Sequence, residues 1–76
     1  MKEIKISGWL ARDGKTAATK GRMFFYFGEP TLRTTGFEKD QWRDENGCME
    51  ISRELFKTGL KIGECKKADI IIRVGK

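Results

Sequence analysis

The sequence predicts a single mainly β domain, a small antiparallel meander or open barrel of about five strands with one short helix near residues 52–57. Three stretches carry the strand pattern: Lys2–Arg12, Arg22–Gly28 and Ala68–Val74. They are rich in branched or aromatic residues, and Gly, Pro and Asn-Gly turn signals lie between them. A chain of 76 residues has room for one modest core, so we expect one domain spanning residues 1–76.

The first strand, Lys2 to Arg12, alternates between two faces. One face carries Ile4, Ile6, Gly8 and Leu10, and the other carries Lys5, Ser7 and Trp9. The indole of Trp9 leaves two alternatives: a bulge at Gly8 turns it inward, or it lies on the outer face beneath another segment. Asp13-Gly14 then predicts a hairpin, and Thr16–Gly21 predicts a long mobile loop because its residues are small and polar.

The aromatic stretch Arg22–Gly28 contains most of the phenylalanines and the single tyrosine. As a strand, it places Phe24 and Tyr26 on one face and Phe25 and Phe27 on the other. A chain this short can hardly cover both faces of a sheet. We therefore expect one aromatic pair to be partly exposed, which would leave an apolar patch suited to a partner.

The segments between the aromatic strand and the last strand contain only short patterns of secondary structure. They predict an extension of the sheet at residues 31–35, an irregular strand or a short helical turn at 37–43, a turn at 44–47 and a short strand at 48–51. Ser52 is a candidate N-cap for one or two helical turns that close by Gly59. The final strand, Ala68–Val74, puts Ile70, Ile72 and Val74 on one face.

The composition argues against an enzyme. The chain has no His, so the usual base for a Ser or Cys nucleophile is missing, and we see no phosphate loop and no zinc ligand set. We expect neither cofactor nor metal. Cys48 and Cys65 are predicted to be free thiols of a cytoplasmic protein, with a disulfide left open if they lie on neighbouring strands. No apolar run approaches the length of a membrane helix, so we expect no membrane partner.

The net charge of +5 either attracts polyanions or keeps a small protein soluble. The leading hypothesis is a nucleic-acid-binding module, in which basic residues contact phosphates and aromatic rings stack on bases. The predicted contacts are Arg12, Lys15, Lys20, Arg22 and Arg33, with Trp9, Phe25 and Tyr26 for stacking. The alternative is a protein-interaction module or homodimer that uses the aromatic patch.

Several motifs together resemble those of a group of small proteins. They are Gly8-Trp9-Leu10-Ala11-Arg12-Asp13, the aromatic strand ending near Pro30, Trp42, Leu55-Phe56 and the terminal Ile-x-Ile strand. This pattern resembles short uncharacterised proteins encoded in gut bacterial genomes, phages and mobile elements. The resemblance implies a cytosolic accessory protein and assigns no functional residue. The Thr16–Gly21 loop departs from that group, whose members usually turn tightly there.

Overall fold

Strands dominate the computed structural model, which describes residues 2–54 and 57–75. In chain order the elements are β1 (Lys2–Arg12), β2 (Met23–Tyr26), β3 (Thr31–Leu32), a 3₁₀ helix (Gly36–Glu38), β4 (Trp42–Arg43), β5 (Cys48–Ile51) and β6 (Cys65–Val74). The mainly β fold predicted from the sequence is confirmed. The bounds of β1 and β5 agree with the predicted ones.

Four of the strands form one open antiparallel sheet in the order β5-β2-β1-β6, and β3 and β4 form a separate two-stranded sheet. The first and last strands are therefore neighbours, with Ile4 opposite Ile72 and Ile6 opposite Ile70. The register of β1 with β6 runs without interruption from Lys2 to Ala11. There is no bulge at Gly8, so Trp9 stays on the face that also carries Lys5.

One end of the sheet projects as a two-stranded ribbon. Strand β2 pairs only with residues 9–12 of β1, whereas β6 continues along β1 to its beginning. We call the projecting part, residues 2–8 and 68–74, the arm. The radius of gyration is 13.3 Å, against about 11.4 Å for a compact chain of this length. The molecule measures 47 × 25 × 16 Å, and the arm accounts for this elongation.

The core lies in the four-stranded part, on both faces of β1 and β2. Met23 and Phe25 are fully buried on one face, where Leu60 is also buried. Ala11 and Tyr26 are buried on the other face. Both faces of this short region are covered, the first by residues around Leu60 and the second by residues around Trp42, whose carbonyl oxygen accepts a hydrogen bond from Tyr26.

The loop at residues 13–22 has more internal structure than its small polar residues predicted. The predicted hairpin between β1 and β2 forms, and this loop joins its strands. Asp13 is 2 % exposed, and its carboxylate accepts hydrogen bonds from the Thr19 hydroxyl and from the Trp42 amide. Ala17 is also buried. Composition did not predict this ordered loop, because hydrogen bonds to the buried Asp13 carboxylate hold it in place and apolar side chains contribute little.

Three further predictions concern the shorter segments. The extension at residues 31–35 is shortened to Thr31–Leu32, and residues 37–43 contain both predicted alternatives, part of a 3₁₀ helix and part of a strand. Of the helix predicted near residues 52–57, residues 55 and 56 lie outside the described residues. Residues 52–54 and 57 are not helical. Among the described residues, no helix has the length and hydrophobicity needed to cross a membrane.

Candidate functional site

The two aromatic residues of β2 that were predicted to stack on bases are part of the core. Phe25 is 0 % exposed and Tyr26 is 3 % exposed, so neither ring can serve as a stacking surface. The burial of Phe25 requires glycine at position 8, because a Cβ at that position would lie 2.5 Å from Phe25 Cζ. The Tyr26 hydroxyl donates a 2.6 Å hydrogen bond to the carbonyl oxygen of Trp42. Burial, together with the nearby Asp13 carboxylate, raises the pKa of Tyr26 far above its usual range.

Two of the predicted phosphate ligands already have partners within the chain. Arg12 is half-buried, and its guanidinium donates to the carbonyl oxygens of Gly21, at 3.0 Å, and Leu60, at 2.8 Å. It thereby joins the loop after β1 to the segment before β6. Arg22 is exposed and forms a 3.2 Å ion pair with Glu50. Arg12 is a structural residue, which corrects its predicted role as a phosphate contact.

The other predicted basic residues are exposed but do not all lie in a basic environment. Lys15 and Lys20 lie on the surface of the loop at residues 13–22. Arg33 lines an open cleft of about 560 Å³ below the two-stranded sheet. That cleft mixes two arginines with three carboxylates: Arg33, Arg43, Glu29, Asp44 and Glu45. The mixture of charges does not favour a polyanion.

Trp9 is half-buried on the charged face of the sheet, opposite Lys67 of β6. The Lys67 ammonium lies 5.6 Å from the centre of the indole, within the range of a cation–π contact. Of the two alternatives left by the sequence, the outer-face position is therefore the one observed. Part of the ring remains accessible beside a basic group.

The arm exposes an apolar surface. Ile4 and Ile72, which face each other across β1 and β6, are 46 % and 43 % exposed. The neighbouring pair, Ile6 and Ile70, is half-buried, and Val74 at the end of the arm is exposed. We call the side of the arm that carries these residues the apolar face.

Charged residues occupy the opposite side of the arm. Lys5 lies 3.6 Å from Asp69, and Arg73 donates to Glu3 at 3.0 Å. Glu3 is directly opposite Arg73, whereas Lys5 reaches Asp69 diagonally, and both pairs join β1 to β6. The arm is therefore amphipathic, with its ion pairs on one side and Ile4, Ile6, Ile70 and Ile72 on the other.

The apolar face continues into a groove at the junction of the arm with the body of the protein. The groove has a volume of about 480 Å³, and its lining includes Leu10, Phe25, Met49, Ile70 and Ile72. Phe27 lies on the same side of β2 as Phe25, 46 % exposed, with its ring 5.5 Å from that of Phe25. The sequence predicted that one aromatic pair would stay partly exposed, whereas in the structure Phe27 is exposed and its pair partner Phe25 is buried.

The two cysteines lie on the two outer strands of the sheet, Cys48 on β5 and Cys65 on β6. Three strand spacings separate them, about 14 Å, which is beyond the reach of a disulfide. Both thiols are free, and partial burial raises the pKa of each. No cluster of three or more potential metal ligands occurs within residues 2–54 and 57–75.

Comparisons with protein-family models, with curated proteins and with solved structures gave no match. Sequence reasoning overlooked the apolar face, although its signal was present in the alternation of Ile4 and Ile6 with Ile70 and Ile72. That pattern predicted burial in the core, and the structure leaves these side chains at the surface because β2 ends before the arm begins.

Proposed function

We propose that this protein is a non-enzymatic protein-interaction module that binds its partner through the apolar face of the arm and the adjoining groove. The observation that carries the proposal is the pair Ile4 and Ile72, each nearly half exposed although they face each other within a regular strand pair. Contiguous exposed apolar surface of this kind usually marks a site of association. The groove beside it offers a concave apolar surface to the same partner.

The arrangement of charge supports a protein partner. The apolar face of the arm, formed by residues 2, 4, 6 and 8 together with 68, 70, 72 and 74, includes one charged residue, Lys2. Depletion of charge at the centre, with polar residues around it, is the usual composition of a protein interface. Polyanions, in contrast, require exposed basic side chains at the contact.

The proposal is tested by comparing capture of proteins from a nuclease-treated cell lysate on immobilised wild type, Ile72→Glu and Ile62→Glu proteins. Ile62 is the matched control, because it is also an isoleucine, is 42 % exposed and lies outside both the arm and the lining of the groove. We expect a bound protein, either this chain or another, that Ile72→Glu loses and Ile62→Glu retains. Equal binding by all three would contradict the proposal.

Nucleic-acid binding is a second candidate, and the arrangement of Trp9 and Lys67 favours it. A partly accessible indole beside an ammonium could stack on an unpaired base while the lysine contacts the phosphate. The test is indole fluorescence during titration with single-stranded and duplex oligonucleotides at ~50 mM salt, where phosphate contacts are strong. A Trp9→Leu variant isolates the signal of this ring from that of Trp42. No change in wild-type fluorescence would eliminate this candidate.

A further inference from the structure

We infer that the partner of the apolar face is a second copy of this chain, in a two-fold dimer that stacks the two apolar faces with each arm over the groove of the other copy. The inference builds on the proposed function and names its partner. Three observations support it: the amount of exposed surface, the position of arm and groove on one face, and the position of the charges.

The monomer exposes more surface than a compact protein of its mass. Its accessible surface is 5730 Å², whereas a folded monomer of 8.7 kDa exposes about 4,700 Å². The excess is about 1,000 Å². A stable interface of ordinary size covers about 800 Å² on each partner. The surplus exposed by one chain therefore matches what dimerisation would cover.

The arm and the groove are complementary parts of one continuous face. A two-fold axis that runs between the stacked sheets, perpendicular to their strands, reverses the strand direction and brings the two apolar faces together. The same rotation places the arm of each copy over the body of the other. Ile4 and Ile72 would then contact the groove beside Leu10 and Ile70 in both halves of the interface. Such a contact is isologous and closes at two copies, the commonest symmetry of protein oligomers.

Stacking the apolar faces leaves the arm's ion pairs in water. Lys5 with Asp69 and Glu3 with Arg73 lie on the outer side of each ribbon. The interface would therefore avoid the desolvation cost of buried charges. Aligned sheets pack about 10 Å apart, which branched side chains such as isoleucine fill from both sides.

Sedimentation equilibrium at micromolar to sub-millimolar concentration tests the inference. We expect wild type and Ile62→Glu to approach twice the chain mass of 8.7 kDa, and Ile72→Glu to stay at the mass of one chain. Far-ultraviolet circular dichroism checks that each variant is folded. A monomeric wild type would overturn the dimer, as would a dimer that survives Ile72→Glu. If wild type is monomeric but Ile72→Glu still loses a protein captured from the lysate, the proposed function stands without the dimer.

A cross-linking experiment tests the stacked arrangement itself. Ile4→Cys and Leu10→Cys are made separately in a background where Cys48 and Cys65 are replaced by serine, and the two variants are mixed and treated with a bismaleimide whose spacer spans the ~10 Å between stacked sheets. Ile4 lies in the arm and Leu10 lines the groove on the same strand, β1, so the two-fold places them opposite each other and we expect a cross-linked pair that contains one chain of each variant. A dimeric mixture that forms no such pair would overturn the placement of the arm over the groove.

Discussion

The backbone amide of Trp42 donates a 3.0 Å hydrogen bond to the buried carboxylate of Asp13. The other carboxylate oxygen accepts from the Thr19 hydroxyl. One side chain thereby connects the first residue after β1, the loop at residues 13–22 and the strand β4. The amide of Gly14 adds a 2.7 Å hydrogen bond to the carbonyl oxygen of Asp40, which strengthens the same connection.

Replacing Asp13 by alanine should reduce the free energy of unfolding by about 2–3 kcal/mol, because two donors would lose their acceptor in a buried site. Urea denaturation followed by tryptophan fluorescence measures the change. Asp69→Ala is the matched control: Asp69 is exposed and its ion pair with Lys5 lies at the surface, so the change should stay below about 1 kcal/mol. Equal losses for the two variants would contradict the structural role of Asp13.

Replacing Gly8 by alanine should destabilise the fold, by about 1–3 kcal/mol or more. The added Cβ would lie 2.4 Å from the carbonyl oxygen of Tyr26 and 2.5 Å from Phe25 Cζ, so both backbone and ring would have to move. Gly75→Ala is the control, since a Cβ there has no neighbour within 4 Å. Thermal unfolding of the two variants separates steric conflict from the general effect of adding a methyl group. A Gly8→Ala protein as stable as wild type would show that β1 and β2 are not this close.

Tyr26 is the single tyrosine of the chain, so the ionisation of its hydroxyl reports whether this part of the core is buried. Because burial raises the pKa of Tyr26 in the folded state, its ultraviolet absorbance should show no tyrosinate near pH 10, where an exposed tyrosine ionises. Below pH 10 the Tyr26 hydroxyl is protonated in both the folded and the unfolded state, so this residue does not change stability there. Above pH 10 the hydroxyl ionises first in the unfolded state, so its contribution lowers stability by about 1.4 kcal/mol per pH unit. Tyrosinate appearing near pH 10 without unfolding would show that the ring is exposed.

Oxidation should not form an intramolecular disulfide, because Cys48 and Cys65 lie on opposite outer strands. We expect two reactive thiols per native chain after mild oxidation, counted with a thiol reagent. Mass spectrometry of non-reduced peptides should detect no Cys48–Cys65 bridge within one chain. Unfolding before oxidation is the control, since the unfolded chain permits the bridge. A bridge in the native protein would contradict the strand order β5-β2-β1-β6.

Local alternation was sufficient to predict β1. In β1 the even positions hold Ile4, Ile6 and Leu10, and this pattern gave the correct bounds and the correct faces. The short strand β5 followed from the Asn46-Gly47 turn before it. Both strands are determined by residues that are neighbours in the sequence, so they can be predicted without knowledge of the tertiary structure.

The candidate site could not be predicted in the same way, because burial depends on which strands meet. Phe25 and Ile72 have equally strong apolar signals, yet Phe25 is fully buried and Ile72 is 43 % exposed. The difference arises from the short pairing of β2 with β1, which leaves the arm without a third strand. Arg12 gives a similar lesson. Its acceptors, Gly21 and Leu60, are distant in sequence, so nothing local distinguishes it from a surface arginine.

The pairing of Lys2 with Val74 also has a consequence for how the protein folds. It joins residues from nearly opposite ends of the sequence, and contacts of such separation form slowly because a large loop must close first. During synthesis β6 is made after the other strands. Until then β1 lacks the strand with which it pairs over the greatest length, and Ile4 and Ile6 lack their cross-strand neighbours. We expect the newly made chain to depend on chaperones or on low concentration until β6 docks, since unpaired apolar strands aggregate readily.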